Sequence, residues 1–120
     1  MTGQKNKADK PIGKLLFADI ILDYWPEWDD MLQIFEKAMS AGNLTVIKEV
    51  SHKFEPHGVT NIWLLSESHM AVHTWPEDKF FSVDIFTCGN EGNPDAVLDY
   101  IKDNFDIVSC AVTCKSRGIR

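Results

Sequence analysis

Residues 64–89 read LLSESHMAVHTWPEDKFFSVDIFTCG. Two runs in this stretch, Met70–Thr74 and Phe80–Thr87, are rich in apolar, β-branched and aromatic residues, and a polar turn, Pro76-Glu77-Asp78-Lys79, parts them. Such runs on either side of a proline-bearing turn predict two strands. A third strand, Val59–Leu65, is predicted just upstream, after the breaker Pro56-His57-Gly58. The same stretch gathers Ser66, Glu67, Ser68, His69, His73, Glu77 and Cys88. That density of nucleophiles and proton carriers calls for a chemical explanation.

Working outward, Lys14–Leu22 (KLLFADIIL) is almost uninterruptedly apolar and predicts a buried strand. Trp28, Met31, Leu32, Ile34, Phe35 and Met39 recur at helical intervals, predicting a helix from about Pro26 to Ala41 that Gly42-Asn43 ends. Leu44–Phe54, with Thr45, Val46, Ile47 and Val50, predicts a further strand. A second helix starts near Asn93-Pro94, turns Val97, Leu98 and Ile101 inward, and stops around Asn104. Phe105–Thr113 supplies the last strand, with KSRGIR as a surface tail or edge extension.

The order β-α-β-β-β-β-α-β predicts an α+β fold, a two-layer sandwich of a mainly antiparallel sheet with both helices on one face. The other sheet face then needs cover. Apolar residues on it favour a dimer in which two sheets or sheet edges meet.

A chain of 120 residues with 44% hydrophobic content can bury a real core as a single domain, here residues 12–120 after a flexible polar tail, 1–11. Against 12 basic residues stand 18 acidic ones, for a net charge of −6 and a pI near 5.1, which argues against nucleic-acid binding. Nothing in the sequence resembles a signal peptide or a membrane span, so a cytoplasmic protein is expected. Cys88, Cys110 and Cys114 form an odd set without CxxC spacing, which points to neither a disulfide framework nor a metal site. Cys110 and Cys114 are expected to pack as small apolar side chains.

The ordered set Ser66-Glu67-Ser68-His69, His73-Thr74-Trp75-Pro76-Glu77, Asp84 and Phe86-Thr87-Cys88-Gly89 resembles the self-processing core of prokaryotic S-adenosylmethionine decarboxylases, pyruvoyl enzymes of polyamine (spermidine) synthesis. The likeness runs from about Gly13 onward and weakens before Lys53. It implies a zymogen that cleaves itself between Glu67 and Ser68, giving residues 1–67 and a chain 68–120 capped by a pyruvoyl group made from Ser68. His73 would be the base that removes the serine α-proton, a task suited to imidazole near neutral pH. The hydroxyl that steadies the reacting carbonyl would be Thr60, in Gly58-Val59-Thr60-Asn61.

In the mature enzyme the resemblance implies that the ketone forms a Schiff base with the substrate amine and accepts the electrons left by carbon dioxide. Cys88 would then protonate the α-carbon, since a thiol of ordinary pKa about 8.5 keeps its proton yet can release it. Phe54 would stack on adenine and Glu77 would hold ribose hydroxyls; read without the resemblance, Phe54 is an ordinary core aromatic and Glu77 a turn residue. The partners implied are S-adenosylmethionine and a second copy of the chain, as a homodimer or higher homo-oligomer.

Four features depart from the family pattern. The first strand, Gly13-Lys14-Leu15-Leu16, lacks the family's histidine, and Asp23 and Tyr24 stand where a cysteine is usual. Thr60 is stiffer than the usual serine, and Asn61 replaces a glycine, so slowed or rearranged processing is expected. Two alternatives stand beside the main reading: a pyruvoyl decarboxylase of arginine, ornithine or another amino acid, and a non-catalytic partner of an active homologue. Finally, five positions separate Ser68 from His73, so one straight strand would point them to opposite faces, and Ser68 is expected at a bend or strand end.

Overall fold

The computed structural model describes residues 11–66, 68–88 and 92–119, which form β1 (Pro11–Leu22), α1 (Trp28–Ala41), β2 (Val46–Lys53), β3 (Val59–Leu65), β4 (Ser68–Trp75), a 3₁₀ turn (Pro76–Asp78), β5 (Phe80–Cys88), α2 (Pro94–Asn104) and β6 (Ile107–Ile119). The six strands make one sheet in the order β2-β3-β4-β5-β1-β6, with every neighbouring pair antiparallel. Both helices pack on one face, which is the α+β sandwich the sequence predicts. Of the segment expected to be a tail, Pro11 opens β1 and the remainder lies outside the described residues.

Each element buries the side chains its periodicity selects. In α1 these are Met31, Phe35, Ala38 and Met39, one stripe at helical spacing. In β1 they are Leu16, Ala18, Ile20 and Leu22, every second residue. Phe35 sits at the centre, with ring centroids 5.3 Å from Phe81, 5.5 Å from Phe105 and 6.2 Å from Trp63. Burying one such aromatic is worth about 1.5–3 kcal/mol, so this cluster anchors α1 to the sheet.

The helices are also joined end to end. Asn93 caps α2 by accepting the Ala96 N–H at 3.1 Å, and its own N–H donates to the Gly42 carbonyl at 2.8 Å, where α1 ends. A Cβ at Gly42 would meet the Val97 side chain and lie 2.7 Å from the Asn93 carbonyl oxygen. Glycine is needed there for close approach.

Of the two readings of the basic end, the edge extension holds: β6 runs past the predicted Thr113 to Ile119, pairing Gly13 with Arg117 and Pro11 with Ile119. Cys110 is partly buried and packs against the core as expected, whereas Cys114 is exposed, because β6 is the edge strand and its later residues run beyond the core. Among the described residues, no helix is long and apolar enough to cross a membrane.

Candidate active site

On the sheet face away from the helices, strand register aligns rows of side chains. One row crosses β1, β5, β4, β3 and β2 as Asp19, Ser82, His73, Thr60 and His52. Within it, Thr60 Oγ1 and His73 Nδ1 are hydrogen-bonded at 3.0 Å. That bond restrains the plane of the imidazole and engages Nδ1, so Nε2 is the ring nitrogen it leaves over. A neighbouring row carries Phe17, Asp84, Ala71, Ile62 and Val50, and a third carries Leu15, Phe86, His69 and Leu64.

The position of Thr60 is secured from the next residue pair along. The Thr74 hydroxyl, buried, accepts the Val59 N–H at 2.7 Å and donates to the Val59 carbonyl at 3.2 Å. Gly58 then turns the chain at φ 105°, where a Cβ would press to 3.1 Å from the Thr74 carbonyl oxygen. Asn61, the replacement for a family glycine, points to the opposite face, where it is buried and donates to Glu49 at 3.0 Å. Its side chain braces β2 against β3 and stays out of the Thr60–His73 row.

Ser68 is the first residue of β4, paired with Leu65 across a tight hairpin, so it occupies the strand end that the spacing argument demands. Among the described residues, its hydroxyl makes one long contact, donating to the Ser66 carbonyl at 3.4 Å. Glu67 lies outside the described residues. Cys88 ends β5 at the same end of the sheet, partly buried, opposite Gly13 of β1. Gly13 leaves room for the Phe86 ring, whose edge would lie 2.7 Å from an added Cβ.

His73 is elsewhere. Five residues of continuous strand put it about 17 Å from Ser68 and on the other face. Around His73 and Thr60 opens a cavity of about 330 Å³, lined also by Phe54, His57, Thr74, Trp75 and Glu77. Phe54 is half-exposed beside His52, not a core aromatic, and Glu77 pairs with His57 at 3.1 Å. The candidate residues thus fall into two groups: Ser68 and Cys88 at one end of the sheet, and Thr60, His73, Phe54 and Glu77 around the cavity toward the other.

Residues 23–118 match the family model described as S-adenosylmethionine decarboxylase. The chain belongs to that family. It is 39% identical over 113 residues to the S-adenosylmethionine decarboxylase proenzyme of a Hydrogenobaculum species, covering 92% of this chain and 84% of that one. The proenzyme of Thermococcus kodakarensis is 40% identical over 91 residues, 76% of this chain but 64% of that protein's length. The crystal structure of the adenosylmethionine decarboxylase from Aquifex aeolicus superposes with a TM-score of 0.80 at 32% identity, covering 92% of this chain and 94% of that one.

S-adenosylmethionine decarboxylase motifs were the route to Ser68, His73, Cys88, Thr60, Phe54 and Glu77, whereas His57, Trp75 and the Thr74 clasp are added by the fold. His57 reads in the sequence only as part of a chain-breaking Pro-His-Gly. The available signal is its place in the short loop after Phe54, since a loop that starts at a pocket aromatic and returns to Thr60 must border the same cavity.

Proposed function

We propose that the chain is a proenzyme that cleaves itself between Glu67 and Ser68 and then decarboxylates S-adenosylmethionine, yielding the aminopropyl donor for polyamine synthesis. The observation that carries the reading is the placing of the motif residues within a family fold in two complementary groups, Ser68 and Cys88 at one sheet end and Thr60, His73, Phe54 and Glu77 around one cavity. Since His73 and Ser68 of one chain are about 17 Å apart, the working site needs two copies. In a two-fold dimer joined through the open sheet faces, the sheet end that carries Cys88 on its open face meets the His73 end of the partner; Ser68, which pairs with Leu65 on the helix side, reaches that seam by turning at the hairpin end, and the site occurs twice.

Support for that mode of assembly comes from the face itself. Phe17, Ile21, Ile62, Leu64 and Trp75 all stand there between 37% and 49% exposed, an apolar content that favours burial against a second sheet.

Processing follows from the chemistry of these groups. The Ser68 hydroxyl attacks the Glu67 carbonyl, its proton passes to the departing amide nitrogen, and the peptide becomes an ester. The partner's His73 removes the Ser68 α-proton through Nε2, which requires the tautomer whose Nδ1–H donates to Thr60. Glu67 leaves as a carboxylate, and water then releases ammonia from residue 68. The residues suit the group so formed: Ser68 is partly exposed at a strand start, its hydroxyl in a long 3.4 Å contact with the Ser66 carbonyl, and Cys88 lies at the same sheet end.

The pyruvoyl group supplies an electron sink for the bond that loses carbon dioxide. Around it, Cys88 is the acid for the α-carbon, Phe54 offers a face to adenine, and Glu77 accepts from ribose hydroxyls. A pocket with both an aromatic and a carboxylate supports a nucleoside over arginine or ornithine, which have neither ring nor diol. The test is carbon dioxide release from carboxyl-labelled S-adenosylmethionine, arginine and ornithine in parallel. Release from S-adenosylmethionine alone is expected; release from an amino acid instead would overturn the substrate assignment.

A further inference from the structure

The loop Phe54–Gly58 closes on itself through a Phe54 N–H to Gly58 carbonyl bond of 2.8 Å and abuts Thr74 through Gly58. At its tip His57 reaches across the cavity mouth, and its Nε2 lies 3.1 Å from Glu77 Oε1. Glu77 belongs to the 3₁₀ turn after β4, itself closed by the Lys79 N–H on the Pro76 carbonyl at 3.1 Å. The contact thus ties together two loops from opposite rims of one pocket. With side chains 46% and 48% exposed, it adds little to stability, because solvent screens such pairs.

Its effect on Glu77 is specific. A half-exposed glutamate is free to rotate, and a ligand that needs one orientation must pay for stopping it. His57 occupies Oε1 and so leaves Oε2, which has no hydrogen-bond partner among the described residues, as the acceptor at the pocket mouth. We propose that His57 is a substrate-positioning residue that presents the Glu77 carboxylate to a vicinal diol and so sets preference for a ribonucleoside. The proposal rests on the nucleoside reading of the pocket given above.

The test uses the purified, processed protein, with the cleaved fraction measured so that rates refer to active sites. His57→Ala is expected to raise KM for S-adenosylmethionine about fivefold to tenfold while kcat changes less than twofold. His57→Gln, whose amide can still donate to Oε1, is expected to restore most of the loss. Adenosine as a competitor should weaken by the same factor in His57→Ala, whereas 2′,3′-dideoxyadenosine, without the diol, should be unaffected. Equal weakening of both competitors, an unchanged KM, or no rescue by glutamine would each overturn the proposal. Should the native protein release no carbon dioxide from S-adenosylmethionine, the nucleoside reading falls and takes this inference with it; an active native protein with an indifferent His57→Ala removes this inference alone.

Discussion

The hydroxyl of Thr60 and the imidazole of His73 form a side-chain contact between motif residues, and the two can be separated with little change in packing. Thr60→Val keeps the shape and removes the bond at 3.0 Å. Self-cleavage is expected to slow about tenfold, as read by the fraction of cleaved chain over time, because the imidazole loses both orientation and tautomer preference. Thr60→Ser keeps the hydroxyl and should cleave at least as fast as the native chain. Cys88→Ala is expected to cleave normally yet lose most turnover, measured as carbon dioxide release per cleaved chain; full turnover would remove the thiol from the mechanism. Sequence nominates these residues as candidates because chemistry restricts residue type in order along the chain. Their split between two ends of the sheet was only half legible: the odd spacing from Ser68 to His73 forbids one face, but nothing in spacing says which neighbour completes the site.

Secondary structure was legible wherever a side-chain period coincided with burial. Val59–Leu65 alternates buried and exposed positions along its whole length and was bounded correctly from the Pro-His-Gly break before it. The end of β6 was not, since Lys115, Ser116 and Arg117 carry no apolar signal; their strand is held by pairing with β1, a long-range partner that sequence periodicity does not report. Cys114 was misjudged for the same reason, as an edge strand beyond the helices exposes what a central strand would bury. The junction of α1 with α2 makes a clear prediction at this level. Gly42→Ala forces a methyl against Val97 and the Asn93 carbonyl, and is expected to cost about 1–3 kcal/mol in chemical denaturation. A neutral result would mean that the two helix ends can part without loss.

At the level of the whole molecule, the proposed function draws the open sheet face and the separation of Ser68 from His73 to one expectation, a second copy of the chain. Mixing variants distinguishes this from a site within one chain. Ser68→Ala keeps His73, and His73→Ala keeps Ser68, so neither should cleave alone. Co-expressed, they are expected to form mixed dimers in which the His73→Ala chain is cut by its partner's imidazole, while the Ser68→Ala chain stays whole. Absence of cleavage in the mixture would assign both groups to one protomer and contradict the face-to-face arrangement. All of this presupposes that the native chain processes itself. The most direct measurement is therefore the intact mass of the purified native protein. The expected result is two chains broken between Glu67 and Ser68, the second lighter by one ammonia than a free serine terminus. A single chain of full length, or a second chain beginning with free serine, would contradict it.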